Sequence, residues 1–466
     1  MTVCLAATEQ KAAGVAWKSH LWGTPRDLKF LDYLFSLPRL NELAGSVPAW
    51  RRGDFRWRRG VGFQPLRATS ISDRPKSLDW TLSDRFVTPG SISGLPSFPE
   101  GLSYELGPYL TKKRYRLDEL HRTREEEIYT PPLVLWNDGF TDAAFFNYKV
   151  RYQHALHSIS GPVSDSDYLM FLVCFLRSPL ARYFVFHTAA SLGTERDKVH
   201  NSEALRLPFF LPESEAAQPN APSIVTSAVA KLRRFVEEMK DSAKILLKKP
   251  KVPEFRLRSG DDDEEDNEGR ALSTWLQQQR GKAEALQVGL NSLIYKYYGI
   301  SEQERALVED TVDVFDRSDT PSSLEAARGI PTLQPVDAAG LEPYATMLTS
   351  TLNGWATGDL KVCAAGGVDA ELGVGLVELS QTHSVTEFRI RDVSKPLATA
   401  LQRLQEESAE RAGHLEFSRS GTIFDGSRIY LVKPALRGEW TRTAAINDAV
   451  DLSAHIAGAR RRAKTR

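Results

Sequence analysis

The sequence predicts an α+β protein: a mixed helical and β domain, a helical spacer, and a separate C-terminal α+β domain. Three observations carry this expectation. Apolar residues recur at three- and four-residue spacing, as in Leu28, Leu31, Leu34 and Phe35 and again in Val225, Val229, Leu232, Phe235 and Met239. Residues 128–136 and 145–152 are rich in β-branched and aromatic types, which suit strands. After Pro321 the composition changes again, and helix- and strand-patterned runs follow one another to the end. The expected boundaries are 1–60 for an N-terminal helical segment, 61–215 for the mixed domain, 216–320 for the spacer with an acidic linker at 259–269, and 321–466 for the C-terminal domain with its basic tail.

Taken in order, Thr24-Pro25-Arg26-Asp27 opens the first helix, with Asp27 favourable at the positive helix end. Its apolar stripe needs a docking partner. Packing within the chain would satisfy it, as would a seam with another domain. Next, Trp50 to Arg59 holds five arginines (Arg51, Arg52, Arg56, Arg58, Arg59) and three aromatics in ten residues. That mixture suits phosphate neutralisation and base stacking, and equally a solvated face whose arginines pair with carboxylates. Residues 72–108, rich in Pro, Gly and Ser, predict loops and short strands. A second basic run follows at Lys112, Lys113, Arg114 and Arg116. Strand alternation over Asn147 to Tyr152 places Lys149 and Arg151 together on one face, expected to be wet.

Tyr168 to Phe186 is strongly apolar, but Arg177, Pro179 and Arg182 interrupt it within a membrane-length window, so a pair of buried helices is expected. Ser178 and Pro179 form a helix start, and the helix should run to about Ser191. Gly193 then opens a polar loop carrying Thr194, Arg196 and Lys198, before an apolar strand closed by Pro212. Arg182 and His187 are left to find water or partners. Helices are expected at 223–248 and 272–298, and a third after Ser301, where Glu304 completes a capping box. The acidic run 261–266 between them reads as a solvated linker. In the last domain, helices are expected at 341–355 and 395–412, and strands at 360–364, 375–379, 385–390 and 428–433. Lys433, Arg437 and Arg442 read as solvated or phosphate-facing, and the tail 460–466 as a mobile basic arm.

Sixty basic and sixty acidic residues cancel, so affinity for a polyanion must come from local patches. Cys4, Cys174 and Cys363 lie too far apart for a disulfide framework or a Cys-rich zinc site. His154 and His157 lack a second ligand pair, so no metal is expected. No export signal or membrane span is read, and a cytoplasmic bacterial protein is expected.

Three blocks carry a family resemblance. The segment Leu176 to Pro212, with Ser178, Ala181, Arg182 and Tyr183 on a helix, a Gly/Arg loop and then Leu207-Pro208-Phe209, resembles the target-recognition region of N6-adenine DNA methyltransferases of restriction-modification systems. Leu21 to Leu34 is similar to the join that follows the catalytic domain in that family. Ile294 to Val312 resembles the helix pair that closes the recognition region. The order of the blocks is the family's. The resemblance implies that the first helix sits at a seam with a catalytic domain, that 61–215 is target-recognition-like, and that duplex DNA is the ligand.

The family's chemistry has no counterpart here. Amino-methylation of adenine needs Asn, Asp or Ser before Pro-Pro-aromatic, whereas the chain's Pro-Pro is Thr130-Pro131-Pro132-Leu133, better read as the lead-in to a strand. Gly60-Val61-Gly62 and Gly373-Val374-Gly375 lack the strand and helix that a methyl-donor site requires. No cofactor is therefore expected in this chain; S-adenosylmethionine would belong to a partner catalytic methyltransferase subunit, and the chain would begin where the catalytic domain finishes. The expected function is the DNA-specificity component of a restriction-modification or phage-defence system. Its DNA contacts would come from Arg51, Arg52, Arg56, Arg58, Arg59, Lys112, Lys113, Arg114, Arg116, Lys149, Arg151, Gly193, Thr194, Arg196 and Lys198. The alternatives are a stand-alone divergent methyltransferase, a nuclease for which Asp369 and Glu378 approach the magnesium pattern without its lysine, or a truncated remnant.

Overall fold

The computed structural model describes residues 23–67, 76–77, 84–105, 115–122, 124–192, 198–247, 267–316, 329–384, 387–400, 402 and 421–464. The chain is α+β. It divides into two compact units between Ser301 and Glu302, so the helices expected of one spacer at 216–320 are shared between the two.

In the first unit, helix α1 (Pro25–Ser36) starts as its capping box requires. The Asp27 carboxylate accepts from the Thr24 amide at 2.6 Å and from the Thr24 hydroxyl at 2.8 Å. Phe30, Leu31 and Leu34 are buried within the chain itself. Their neighbours include α3 (Pro179–Thr188), where Phe30 meets Tyr183 and Phe35 meets Phe184 at ring distances of 5.5 and 5.1 Å. The stripe expected at a seam with a catalytic domain is thus covered from inside.

A five-stranded sheet follows in the order β1 (Ala44–Gly45), β2 (Trp57–Val61), β11 (Leu156–Ser160), β8 (Leu133–Asn137), β9 (Ala143–Phe146). The β1–β2 pair is parallel and the rest are antiparallel. Leu133, Leu135, Ala144, Phe146 and Leu156 share a core with Phe235, Met239 and Trp275. These last three come from the long helices α4 (Ala221–Leu247) and α5 (Asn267–Tyr297). Helix α2 (Ser166–Leu176) packs on β8 and β9. Two smaller sheets complete the unit: β10 (Val150–Tyr152), β5 (Arg85–Val87) and β6 (Tyr104–Glu105), and then β3 (Gln64–Arg67), β7 (Tyr115–Arg122) and β4 (Lys76–Ser77).

Several expectations need correction. The run 128–136 begins as a 3-10 turn (Glu126–Tyr129) and becomes a strand only at Leu133. The run 145–152 is two strands, with β10 leaving the main sheet to pair in parallel with β5. α3 begins where expected, Ser178 Oγ accepting from the Ala181 amide at 3.3 Å, but stops at Thr188 instead of Ser191. Leu207 to Pro212 forms no strand. Its pairing is limited to one antiparallel bridge between Pro208 and Arg39, beside which the carbonyls of Leu207 and, just before the segment, Leu205 accept from the amides of Leu40 and Asn41; Pro208 has no N–H with which to extend a ladder. No single helix among the described residues is long and apolar enough to cross a membrane. The apolar pair α2 and α3 is bent by 64° and buried.

The second unit opens with α6 (Glu302–Asp310) and contains α7 (Glu342–Trp355), a five-stranded sheet and the C-terminal helix α8 (Arg442–Lys464). The strand order is β14 (Arg389–Ile390), β12 (Lys361–Asp369), β13 (Val374–Thr382), β16 (Arg428–Pro434), β15 (Gly421–Asp425). Leu341, Tyr344, Leu348, Val377, Leu431, Trp440, Ala445 and Leu452 form a core between α7, the sheet and α8. Of the expected strand 385–390 the described residues cover 387–390, with Arg389–Ile390 in a strand; of the expected helix 395–412 they cover 395–400 and 402, in a helix that begins at 394. Neither β15 nor α8 was expected. The basic tail is no separate arm as far as Lys464, because α8 runs through it. Lys433 is buried, its ammonium on Asp448 and over the Tyr344 and Trp440 rings, and Arg442 is held by Glu309 and Asp310. Solvated or phosphate-facing roles for these two are therefore overturned.

Candidate nucleic-acid interface

The residues on either side of 193–197, the segment expected to form a basic loop, are tied to the surrounding structure. Residues 193–197, which include Gly193, Thr194 and Arg196, lie outside the described residues, as do Lys112, Lys113, Arg114 and the acidic run 261–266. On one side of the loop, Leu192 is buried beyond α3. On the other, Lys198 pairs with Asp138 at 3.0 Å, while the buried Val199 donates its amide to the Asp138 carbonyl at 2.8 Å. Glu203 ties the two flanks together by accepting from the amides of Ala190 and His200, each at 2.8 Å.

Asp138 follows β8 in a turn whose Phe140 has φ 53°. Its amide donates to the Ala155 carbonyl at 3.2 Å, and its carboxylate meets His157 Nε2 at 2.6 Å. Arg182 of α3 donates to the Gly139 carbonyl at 2.9 Å. Burial pushes the Asp138 carboxyl up, but hydrogen bonds from His157 and Lys198 outweigh it and hold the group below the usual carboxylate range. His157 lies opposite Trp136 on β8 and Val61 on β2, and Arg59 lies two residues before Val61, opposite Ile159. Strand alternation then sets Arg59, His157 and Trp136 on one sheet face, at the end where Asp138 and Lys198 sit.

The arginine-rich segment mostly meets partners inside the protein. Arg51 pairs with Glu127 and Arg52 with Asp54, all at the surface. Arg56 holds Asp165 through two hydrogen bonds of 2.6 and 2.7 Å, and the buried Trp57 indole donates to the same carboxylate at 2.8 Å. Arg58 is buried, stacked over Trp50, and donates to the Glu127 and Thr130 carbonyls. A DNA-contact role for Arg58 conflicts with that burial. Arg59 is half-buried on β2, and its side chain makes no ion pair among the described residues. Arg116 falls on β7.

The wet face expected at 147–152 holds for Lys149, which is exposed, and is overturned for Arg151. Arg151 is 1 % exposed and carries Asp84 and Glu126, with its guanidinium 4.3 Å from the Tyr129 ring centroid. Lys149 reaches the same two carboxylates. Alternation placed both cations on one side correctly, but Asp84 and Glu126 pair with both there; Lys149 stays exposed while Arg151 is buried and unavailable to DNA.

The two Gly-Val-Gly motifs also have structural explanations. A Cβ on Gly62 would lie 2.3 Å from the backbone oxygens of Tyr152 and Gln153, and one on Gly375 would lie 2.7 Å from the Trp440 ring, so close packing demands both glycines. Glu378 is held by Arg391 and Arg428, a poor arrangement for magnesium, and no group of three His, Cys, Asp or Glu residues that could hold a metal occurs among the described residues. Sequence reasoning missed Asp138 and Asp165, whose partners lie 19 to 109 positions away; nothing local marks them. No protein family's sequence profile matches this chain, and no curated protein matches it.

Proposed function

We propose that this chain is the sequence-specificity component of an N6-adenine DNA methyltransferase system of the restriction-modification or phage-defence type, binding duplex DNA in the bacterial cytoplasm beside a separately encoded catalytic subunit. The partner would hold S-adenosylmethionine and transfer the methyl group. The observation that carries this reading is that the first two resembling blocks and the opening of the third, as far as Ser301, lie far apart in sequence but meet in one unit. Tyr33 of the first block donates to the Tyr298 carbonyl at 2.8 Å, across 265 positions. Tyr298 and Tyr297 of the third block donate to the Pro208 and Phe210 carbonyls of the second, at 2.7 and 2.9 Å. Asp27 accepts from Tyr183 at 2.8 Å.

A recognition region assembled from separate blocks needs them packed together, and these contacts fit that need. A rigid base of this kind suits a recognition element, because a loop held at both flanks loses less conformational freedom on binding. In this reading Arg59, Lys198, Arg51 and Arg52 supply phosphate contacts that set the register, and Arg196, Thr194 and Gly193 approach base edges. Arg56 and Arg151 act as scaffold.

The test is co-purification of the full chain with a methyltransferase subunit encoded beside it, followed by methylation of duplex DNA by the pair and by each protein alone. The pair methylates adenine at one sequence, and neither protein does so alone. Methyl transfer by this chain unaided, or a complex that ignores DNA, contradicts the proposal.

A further inference from the structure

We infer that Asp138 occupies, in the free protein, the place of a nucleic-acid phosphodiester on Lys198. This rests on the function proposed above and adds a masked anion site at a defined residue. Asp138 is held in place from three directions: its backbone amide on the Ala155 carbonyl, its backbone carbonyl under the Val199 amide, and His157 Nε2 on its carboxylate Oδ1. Its other oxygen, Oδ2, meets the Lys198 ammonium at 3.0 Å.

The Lys198 pair adds little to anchoring. The chain is already fixed one residue later, by the buried Val199 and its backbone hydrogen bond. The two side chains are 39 % and 25 % exposed, so the pair is a surface ion pair of small net strength that a phosphate can replace. Arg56 and Asp165 differ: that carboxylate is 3 % exposed and also receives the Trp57 indole, so exchange there would strip a buried group of its partners. Both ions of the Lys198 pair survive exchange, because Lys198 gains a phosphate oxygen while Asp138 keeps His157 and gains water.

The experiment measures binding of a short fluorescent duplex of mixed sequence to the full-length protein at low salt, with D138N, K198A and the double variant. The amide introduced by D138N retains an oxygen to accept from His157. Unmasking predicts that D138N tightens binding about fivefold, the scale of one surface ion pair. K198A should weaken binding and reduce the salt slope by about one counterion. In the K198A background, D138N should change nothing.

If D138N tightens binding equally with and without Lys198, the gain is long-range charge, and masking is excluded. Masking is equally excluded if D138N leaves the affinity unchanged while the wild type binds. A wild type that binds no duplex at low salt overturns the functional reading and the masked site together. Should D138N not fold, carboxylate ¹³C NMR of the wild-type protein decides: the Asp138 resonance moves on adding duplex if the exchange occurs and stays still if it does not.

Discussion

Replacing Tyr298 with phenylalanine tests the meeting of the three blocks one atom at a time. The side chain is 1 % exposed, its ring lies 5.3 Å from both Phe175 and Phe210 and 5.4 Å from Tyr297, and its hydroxyl serves the Pro208 carbonyl. Phenylalanine keeps the rings packed and strands that buried carbonyl. The expected cost is about 1–3 kcal/mol, the penalty for a buried polar group that loses its partner. Tyr33→Phe removes a hydrogen bond of similar length from a residue 38 % exposed, where water takes over, so its cost stays below about 0.5 kcal/mol. Tyr298→Ala also opens a cavity and costs about 3–5 kcal/mol.

Two units make a single melting curve ambiguous, so amide hydrogen exchange read by peptide is the suitable assay. In Tyr298→Phe the slowest amides of residues 23–301 exchange about 5- to 150-fold faster, the equivalent of that penalty, and those of 302–464 are unchanged. Wild-type protection in Tyr298→Phe, or equal losses from Tyr33→Phe, would refute a shared buried core joining the blocks.

Other outcomes follow from single sites. The Arg56 guanidinium, hydrogen-bonded to Asp165, holds that carboxyl below the usual range against the opposing effect of burial. Its stabilising effect is therefore complete above the ordinary carboxylate pKa of about 4 and is lost as pH falls below it. D165N should be less stable than wild type at neutral pH and lose less on acidification, as followed by exchange or melting between neutral and acid pH; parallel curves would contradict this. Gly62→Ala must displace backbone and should destabilise by more than about 1 kcal/mol. Gly281→Ala, in α5 with nothing within 4 Å of the new Cβ, should stabilise by about 0.5–1 kcal/mol in urea titrations. Burial pushes the Cys174 thiol up to about 12, so a thiol reagent at mildly alkaline pH should leave Cys174 untouched in the native protein and modify it on unfolding; ready native modification would show that α2 opens.

The sequence revealed elements whose causes are local. Thr24, Pro25 and Asp27 announce α1 because a capping box is complete within four residues. Ser178 with Pro179 announces α3 because a capping serine and a proline at the first helical position are equally local, and the stripes of α4 and α7 announce those helices. Helix α8 escaped because its buried positions, Ala445, Ile446, Ala449 and Leu452, are half alanine, which reads as neutral. The limits of the candidate site have a different origin. Alternation told that Lys149 and Arg151 share a side but carried no information on Asp84 and Glu126 waiting there. The arginine run gave the charge of 51–59, while Glu127 and Asp165, distant in sequence, decide how much of that charge faces outward.

Whether this chain chooses a place on duplex DNA is decided by selection. The purified chain, alone and with its partner subunit, is offered a pool of duplexes with a randomised centre, and the retained molecules are sequenced. A specificity component enriches one short adenine-containing motif; replacing Arg59 or Lys198 with alanine lowers the amount of duplex retained and leaves the motif as it was, whereas Arg196→Ala relaxes the motif. A retained pool as random as the input, with the partner present, would mean that the chain selects no site.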